Sequence, residues 1–467
     1  MRTEKSESMG EFWLPEKPDA KVHGTLTIEE GGLVRLKTVG LLAEQLDLMN
    51  WRVTGHARII GRLHGGEAVT LEDTFYWRRP SFGIPPTTAL EAKFAFIGLA
   101  LDGNADATFN SIIFTTDCLS EWHQKTGISC ELDESENPRK TTIRYEAIDD
   151  VVLWSEAGKR LELTFEWNLS DVGPGALASV TQYSSLRFSS DERIPVEELT
   201  RTVHRIQHFL SFAVGATVSI SAVFVGSCDH VTTPEARKTS RPVRLYYHCY
   251  PFTEKPADIG RSSMPLPFPS IESVTQSVFS RWFSVYERAG KALGLYWGAL
   301  NDSAKYIDGR FLFIIQALEV FHRLTSAETV LSKDAHRALF KTLIKACPAE
   351  YRELIAPRLR YAHELSLSTR LQRMVDPFAV FFDEPAFLQK VVRTRNYFTH
   401  WDPKSKEMAA TDDELWPICA KLEALFSLLL MREIGLSSDT IAHLVESNRE
   451  LKRRLGYRLG EKPSHAS

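Results

Sequence analysis

The sequence lacks most of the marks of a secreted, membrane-spanning or nucleic-acid-coating protein. Its six cysteines, Cys118, Cys130, Cys228, Cys249, Cys347 and Cys419, contain no C-x-x-C pair and are too sparse over 467 residues for a disulfide framework. That usage suits a reducing compartment. The opening residues MRTEKSESMGEFW are charged and have no apolar core, so no signal peptide is expected. No apolar run reaches the roughly 18–20 residues that a membrane helix needs. The nearest, Phe209 to Val225, is broken by Ser, Gly and Thr and reads as a helix end followed by a buried strand. A basic excess is missing too. With 56 Lys and Arg against 60 Asp and Glu, the net charge is −4 and the pI near 6.4, which excludes broad coating of a nucleic acid. Any RNA site must therefore be a local patch, and the expected location is cytoplasmic.

What is present is ordinary globular composition, 43% hydrophobic and 25% charged, in a chain long enough for two large or three smaller domains. The apolar period changes once. From Met1 to Thr253 it is mainly two. Three hairpins stand out: Thr25 to Leu36 around Gly31-Gly32, Ala57 to Leu71 around His64-Gly65-Gly66-Glu67, and Val151 to Trp167 around Ser155 to Gly158. In the last, Leu161, Leu163, Phe165 and Trp167 alternate with polar residues, giving one dry and one wet face. Further strands are expected at Lys93–Leu101, Thr108–Thr115, Thr217–Val225 and Val243–Tyr250, with one helix from Pro195 to about Phe212. This pattern predicts a β-sandwich or barrel-like domain over residues 1–253.

Residues 254–270, EKPADIGRSSMPLPFPS, carry four prolines and read as a linker. From Ile271 to Ser467 the period is about 3.6, and the sequence predicts an all-α bundle. Its helices are expected at 271–293, 311–324, 333–346, 351–363, 367–375, 385–401, 414–434 and 438–455. The fold class is thus α+β in two domains.

One of these helices carries the chemistry. Asp383, Glu384 and Pro385 suit a helix start and Pro403 an end. Phe387, Leu388, Val391, Val392 and Phe398 share one side. At about 100° per residue, Arg393, Asn396 and His400 share an arc of roughly 60° opposite that side. Arg395 instead points close to the middle of the apolar side, where an unpaired charge costs several kcal/mol. It needs a carboxylate, a phosphate or a partner chain. On the helix expected at 311–324, Glu319 and His322 interrupt the apolar face; they sit either at a solvated edge or, for Glu319, opposite Arg395 as its counter-ion.

The segment Arg395-Asn396-Tyr397-Phe398-Thr399-His400 reads R-N-x-x-x-H and resembles the motif of HEPN ribonucleases. The helix Arg310 to Arg323, RFLFIIQALEVFHR, is similar to the equivalent element of ApeA-like HEPN domains. The entry FWLPE and the hairpins after it resemble, more loosely, the N-terminal domain of ApeA-like anti-phage proteins. The resemblance implies a metal-independent endoribonuclease of abortive infection, with Arg395, Asn396 and His400 catalytic and Arg393 and Glu319 in support. By motif Arg395 is favoured; by helix geometry Arg393 lies closer to His400. It further implies RNA as substrate, tRNA among the candidates, a homodimer through the helical domain, a phage-derived trigger sensed by the β domain, and no cofactor or metal. The alternative is a non-catalytic HEPN dimerisation or ligand-binding module with a β receptor domain.

Other constellations read as structural. His204 and His208 stand at i, i+4 on a helix but lack the glutamate of H-E-x-x-H. Cys228, His230, His248 and Cys249 offer zinc ligands at no standard spacing. Arg449, Lys452, Arg453, Arg454 and Arg458 form a basic run, either a solvated helix face or a phosphate-contacting edge.

Overall fold

A computed structural model describes residues 1–50, 52–101, 103, 105–133, 140–170, 179–226, 243–300, 306–382, 385–401 and 403–457. The chain divides into two compact units, Met1–Phe279 and Ser280–Ser467.

The first unit is mainly β. In chain order it contains β1 (Ser6–Trp13), β2 (Val22–Ile28), β3 (Val34–Val39), α1 (Gln45–Met49), β4 (Gly55–Leu63), β5 (Ala68–Tyr76), β6 (Thr87–Ile97) and β7 (Thr108–Thr116). Then follow α2 (Leu119–His123), β8 (Ile128–Asp133), β9 (Lys140–Tyr145), β10 (Val151–Glu156), β11 (Lys159–Leu169), β12 (Val180–Pro195), α3 (Val196–Val214), β13 (Ile220–Gly226) and β14 (Val243–Tyr247). Twelve strands form one sheet in the order β10-β11-β12-β7-β13-β14-β6-β3-β2-β1-β4-β5, and β5 pairs again with β6. The six strands from β6 to β5 therefore close into a barrel, which removes their edges.

The three expected hairpins are present as β2–β3, β4–β5 and β10–β11. In the first, Gly31 and Gly32 take φ +85° and +80°, and a Cβ on Gly32 would lie 2.3 Å from the Tyr247 carbonyl. Only glycine fits there. Alternation is clean on β3, where Val34, Leu36 and Thr38 are buried and Lys37 and Val39 exposed. The strand expected at Lys93–Leu101 instead occupies Thr87–Ile97, its register set by its three partners β3, β5 and β14.

At the opposite end of the sheet β10 is the edge strand. The Gln276 side chain bonds its backbone twice, Ser155 N–H donating to Oε1 (2.8 Å) and Nε2 donating to Ser155 O (3.1 Å). α3 packs through Leu199, Val203, Ile206 and Leu210. The stretch 254–270 lies in this same unit. Met264, Leu266 and Phe268 are buried, Leu266 N–H donates to Ala213 O at 3.0 Å, and Trp122 Nε1–H donates to Leu266 O at 2.9 Å. Its prolines thus stiffen a packed strap that is anchored by apolar side chains.

The second unit is helical. α4 (Thr275–Leu300) crosses the division and is followed by α5 (Ile307–Thr325), α6 (Lys333–Ala346), α7 (Ala349–Leu359), α8 (Leu367–Val375), α9 (Pro385–His400), α10 (Leu415–Glu433), α11 (Ser438–Ser447) and α12 (Arg449–Leu455). The core lies around α10, whose Leu422, Leu425, Phe426 and Leu429 are fully covered, and Phe426 stacks on Tyr296 at 4.2 Å between ring centroids. The helix expected over 438–455 is two helices. Asn448 Oδ1 accepts from Leu451 N–H at 2.8 Å, so the residue that looked like part of a continuous period is an N-cap.

Candidate active site

α9 lies on the unit through Phe387, Leu388, Val391, Thr394 and Tyr397, all buried. Val392 and Phe398 are only half-buried. The centre of the buried face is thus shared with a threonine that its polarity would assign to the outside. Thr394 Oγ1 donates to Lys390 O at 2.7 Å and accepts from Ala410 N–H at 2.8 Å, so it ties α9 to the chain that follows. Phe398 packs against Phe311 of α5, with centroids 6.1 Å apart. After His400 the helix ends at Trp401, which takes φ +52° while its N–H donates to Tyr397 O.

Arg393, Asn396 and His400 are all exposed, on the arc opposite the buried face. His400 makes no hydrogen bond to a described side chain. Arg395 is half-buried at the flank of the packed face. Its Nη2 lies 3.9 Å from Glu319 Oε2 on α5, and its Nη1 donates to Asn396 Oδ1 at 3.3 Å. Asp383 and Glu384, read as the helix start, lie outside the described residues.

Glu319 is the first rung of a charge ladder. It also accepts from Arg323 Nη2 at 3.1 Å, one helical turn on. Arg323 in turn bonds Glu364, whose carboxylate also faces Arg370 Nη2 at 3.6 Å. Arg370 is buried and donates from Nη1 to His322 Nδ1 at 3.2 Å and from Nε to Leu365 O at 3.1 Å. Since that guanidinium can only donate, His322 carries its ring proton on Nε2. Burial, and then the Arg370 charge, lowers the His322 pKa, which keeps the ring neutral. Three arginines against two glutamates leave the ladder net positive beside the exposed Arg393. This is a local basic patch on an acidic protein, and it suits an anionic substrate.

Of the two positions that the sequence leaves open for Glu319, the structure shows the one opposite Arg395; Arg323, Glu364, Arg370 and Thr394 were not singled out. Arg370 had a signal. It occupies a buried phase of α8 with Leu371, Met374 and Val375, where an arginine is out of place unless paired.

The remaining candidates are elsewhere. Among the described residues no group of three or more His, Cys, Asp or Glu side chains is placed to hold a metal ion. His204 and His208 have ring centroids 4.2 Å apart, and burial, then His204, pushes the His208 pKa down to about 2. His248 is exposed and Cys249 buried, on opposite sides of the chain; Cys228 and His230 lie outside the described residues, as does Arg458. The first unit carries a cleft of about 660 Å³ over β1–β3 and β6. Among the described residues, His23, Lys37, His64, Arg78 and Arg79 line it and no carboxylate does.

A family model described as ApeA N-terminal domain 1 matches residues 7–282, and one described as Apea-like HEPN matches residues 312–440. The first alone covers more than half of the chain. The chain belongs to the ApeA-like family. Its β unit is the ApeA N-terminal part, and its helical unit, with α5 and α9, is the HEPN part. No curated protein and no solved structure matches the chain. Membership in the ApeA-like HEPN family supports a nuclease of anti-phage defence. No described helix is long and apolar enough to cross a membrane.

Proposed function

We propose that the helical unit is an endoribonuclease, metal-independent as its family likeness implies, in which α9 provides the reacting groups. The observation that carries this reading is the split on one helix. His400, Asn396 and Arg393 are exposed together, while Arg395 is held at the flank by Glu319. Histidine has an unperturbed pKa near 6.5, so its imidazole can take or give a proton at neutral pH.

In the reaction the ribose 2′-hydroxyl attacks the adjacent phosphorus. The bond from phosphorus to the 5′-oxygen of the next nucleotide breaks as the new P–O bond forms. His400 accepts the 2′-hydroxyl proton, and a second acid protonates the leaving 5′-oxygen. Arg395 or Arg393 binds the phosphate and offsets the charge that grows on its oxygens. Asn396 orients the guanidinium that its Oδ1 contacts, or a phosphate oxygen. The products are a 2′,3′-cyclic phosphate and a free 5′-hydroxyl.

A single motif histidine per chain supplies one of the two proton-transfer groups. A two-fold dimer through the helical unit brings a second His400 to the site and completes the pair. The β unit acts as sensor, and its carboxylate-free basic cleft suits an anionic trigger produced during infection. The protein then works in the cytoplasm by abortive infection, halting the cell through RNA cleavage.

The test is RNA integrity and culture survival in cells induced for wild type and for His400→Ala, with and without phage. Wild type is expected to fragment RNA and protect the culture while His400→Ala does neither. Equal protection by both proteins would reduce α9 to a packing element and leave the unit as a binding module.

A further inference from the structure

A second cleft in the helical unit, about 500 Å³ in volume, lies between α5, α10 and α12 and belongs to none of the residues assigned above. Its walls carry Arg310, Trp416, Lys421, Arg453 and Arg454. The Trp416 indole is 57% exposed, with the Arg310 guanidinium 6.0 Å from its ring centre. An exposed indole at the mouth of a basic cleft is an unusual place to leave so much apolar surface uncovered.

The basic groups are held in place beforehand. Glu423 is 3% exposed and accepts from Arg310 Nε at 2.7 Å, with Arg454 Nη1 at 3.6 Å. Glu450 then holds Arg454 at 2.9 Å and Arg453 at 2.7 Å. Among the described residues, three arginines stand against these two carboxylates, which leaves a positive surplus. Arg453 keeps a side chain 69% exposed, so its charge is presented to solvent. Gly456 ends α12 at φ +91°, and a Cβ there would lie 3.2 Å from Lys421 Cε, so the lysine runs along the glycine into the cleft. The two carboxylates position Arg310, Arg453 and Arg454 before a ligand arrives, which lowers the cost of binding one.

Two contacts connect the cleft's surroundings to the motif helix. Lys421 Nζ lies 5.5 Å from the Phe387 ring centre, and Lys390 pairs with Glu414 at 3.2 Å, both towards the start of α9. Phe311, next to Arg310, packs on Phe398 near its end. Lys390 and His400 are ten residues apart, about 15 Å at the helical rise. A chain of a few nucleotides spans that distance.

We propose that this cleft is a subsite for single-stranded RNA flanking the cleaved bond, an assignment that rests on the ribonuclease reading above. One base stacks on Trp416, and a neighbouring phosphate pairs with Arg453 in the field of Arg310, Arg454 and Lys421. A planar stacking surface beside fixed guanidinium groups fits a nucleotide, with its π-face and phosphate; an acidic peptide supplies only the charge.

The test uses the full chain carrying His400→Ala, so that the probe survives, and a fluorescein-labelled single-stranded RNA of ~12 nucleotides read by anisotropy. Adding Trp416→Ala is expected to weaken binding about tenfold, with Trp416→Phe restoring most of it. Adding Arg453→Gln is expected to lower the slope of log K against log salt by about 0.7, the value for one phosphate contact on a single strand. Melting curves confirm that these surface variants fold. Unchanged affinity and salt slope in both variants would overturn the subsite, as would an equal loss for Trp416→Ala and Trp416→Phe. The two readings fail separately. Trp416-dependent binding by a chain whose wild type cuts no RNA sinks the ribonuclease reading and keeps the cleft; cleavage by wild type with binding indifferent to Trp416 does the reverse.

Discussion

The Arg395 guanidinium faces the Glu319 carboxylate at 3.9 Å, and Glu319 meets Arg323 at 3.1 Å on its other side. One carboxylate thus anchors the motif arginine to a ladder that runs on to Glu364 and Arg370. Glu319→Gln keeps the shape and removes the charge. Its effect on stability is expected to be small, about 0–1 kcal/mol, because the pair is partly exposed. Its effect on RNA cleavage is expected to be about tenfold, in kcat more than in KM, since the arginine loses its orientation and not its charge. Initial-rate measurements against a defined RNA separate the two parameters.

Arg393 and Arg395 compete for the phosphate. Arg395→Lys is expected to lower kcat/KM by about 100-fold, because a lysine is a point charge and cannot reproduce the planar fork. Arg393→Lys is expected to cost no more than about threefold, the charge alone sufficing at an exposed site. The reverse ranking in the same assay would move the phosphate role to Arg393.

Thr394 has no exposed surface and satisfies both Lys390 O and Ala410 N–H. Thr394→Val preserves volume but leaves the Ala410 N–H unpaired in the interior. The expected loss is about 1–3 kcal/mol, read as a lower denaturant midpoint, while Thr394→Ser recovers most of it. Equal stability of the valine variant would show that Ala410 finds another partner.

How far these features could be read in advance depends on how local their cause is. The hairpins at Gly31-Gly32 and Ala157-Gly158 were legible because turn chemistry and alternation sit in the same few residues. The 16-residue strand β12 was not, since VTQYSSLRFSSDERIP is rich in serine and its pairing with β11 and β7 is set by distant chain. Closure of the barrel through β5 and β6 is likewise a long-range event. On α9 the exposed arc followed from helical geometry, and an arginine in the wrong phase announced a counter-ion. Thr394 gave no such warning, because a threonine reads as polar whether or not its hydroxyl is satisfied indoors. Asn448 shows the opposite failure, a cap signal overridden by the apolar rhythm of Leu444, Val445, Leu451 and Leu455.

His123 supplies a pH dependence. It is 1% exposed, its Nδ1 accepts from Lys125 N–H at 2.9 Å, and its ring packs edge-on to Phe165. Burial, then Lys125 and Arg261, pushes its pKa down to about 4 from an ordinary 6.5. The folded ring resists a proton that the unfolded ring accepts. The stabilisation is therefore complete above pH 6.5 and is lost as the pH falls from there towards 4, on the order of 2–3 kcal/mol. His123→Asn retains an acceptor for the Lys125 N–H and removes the titration. Melting curves between pH 7.5 and 4.5 should fall less steeply for the variant than for wild type, measured at about half-unit steps. Parallel slopes would place the acid sensitivity elsewhere.

The side-chain amide of Gln276 has a consequence for the sheet as a whole. With β5 joined to β6, β10 is the open edge of the twelve-stranded sheet among the described residues, and its N–H and C=O at Ser155 are already matched by the amide's own carbonyl and amino groups. An incoming strand from another molecule finds its first two hydrogen bonds taken. A glutamine at the start of a helix thus takes the place that a neighbouring strand would occupy beside Ser155.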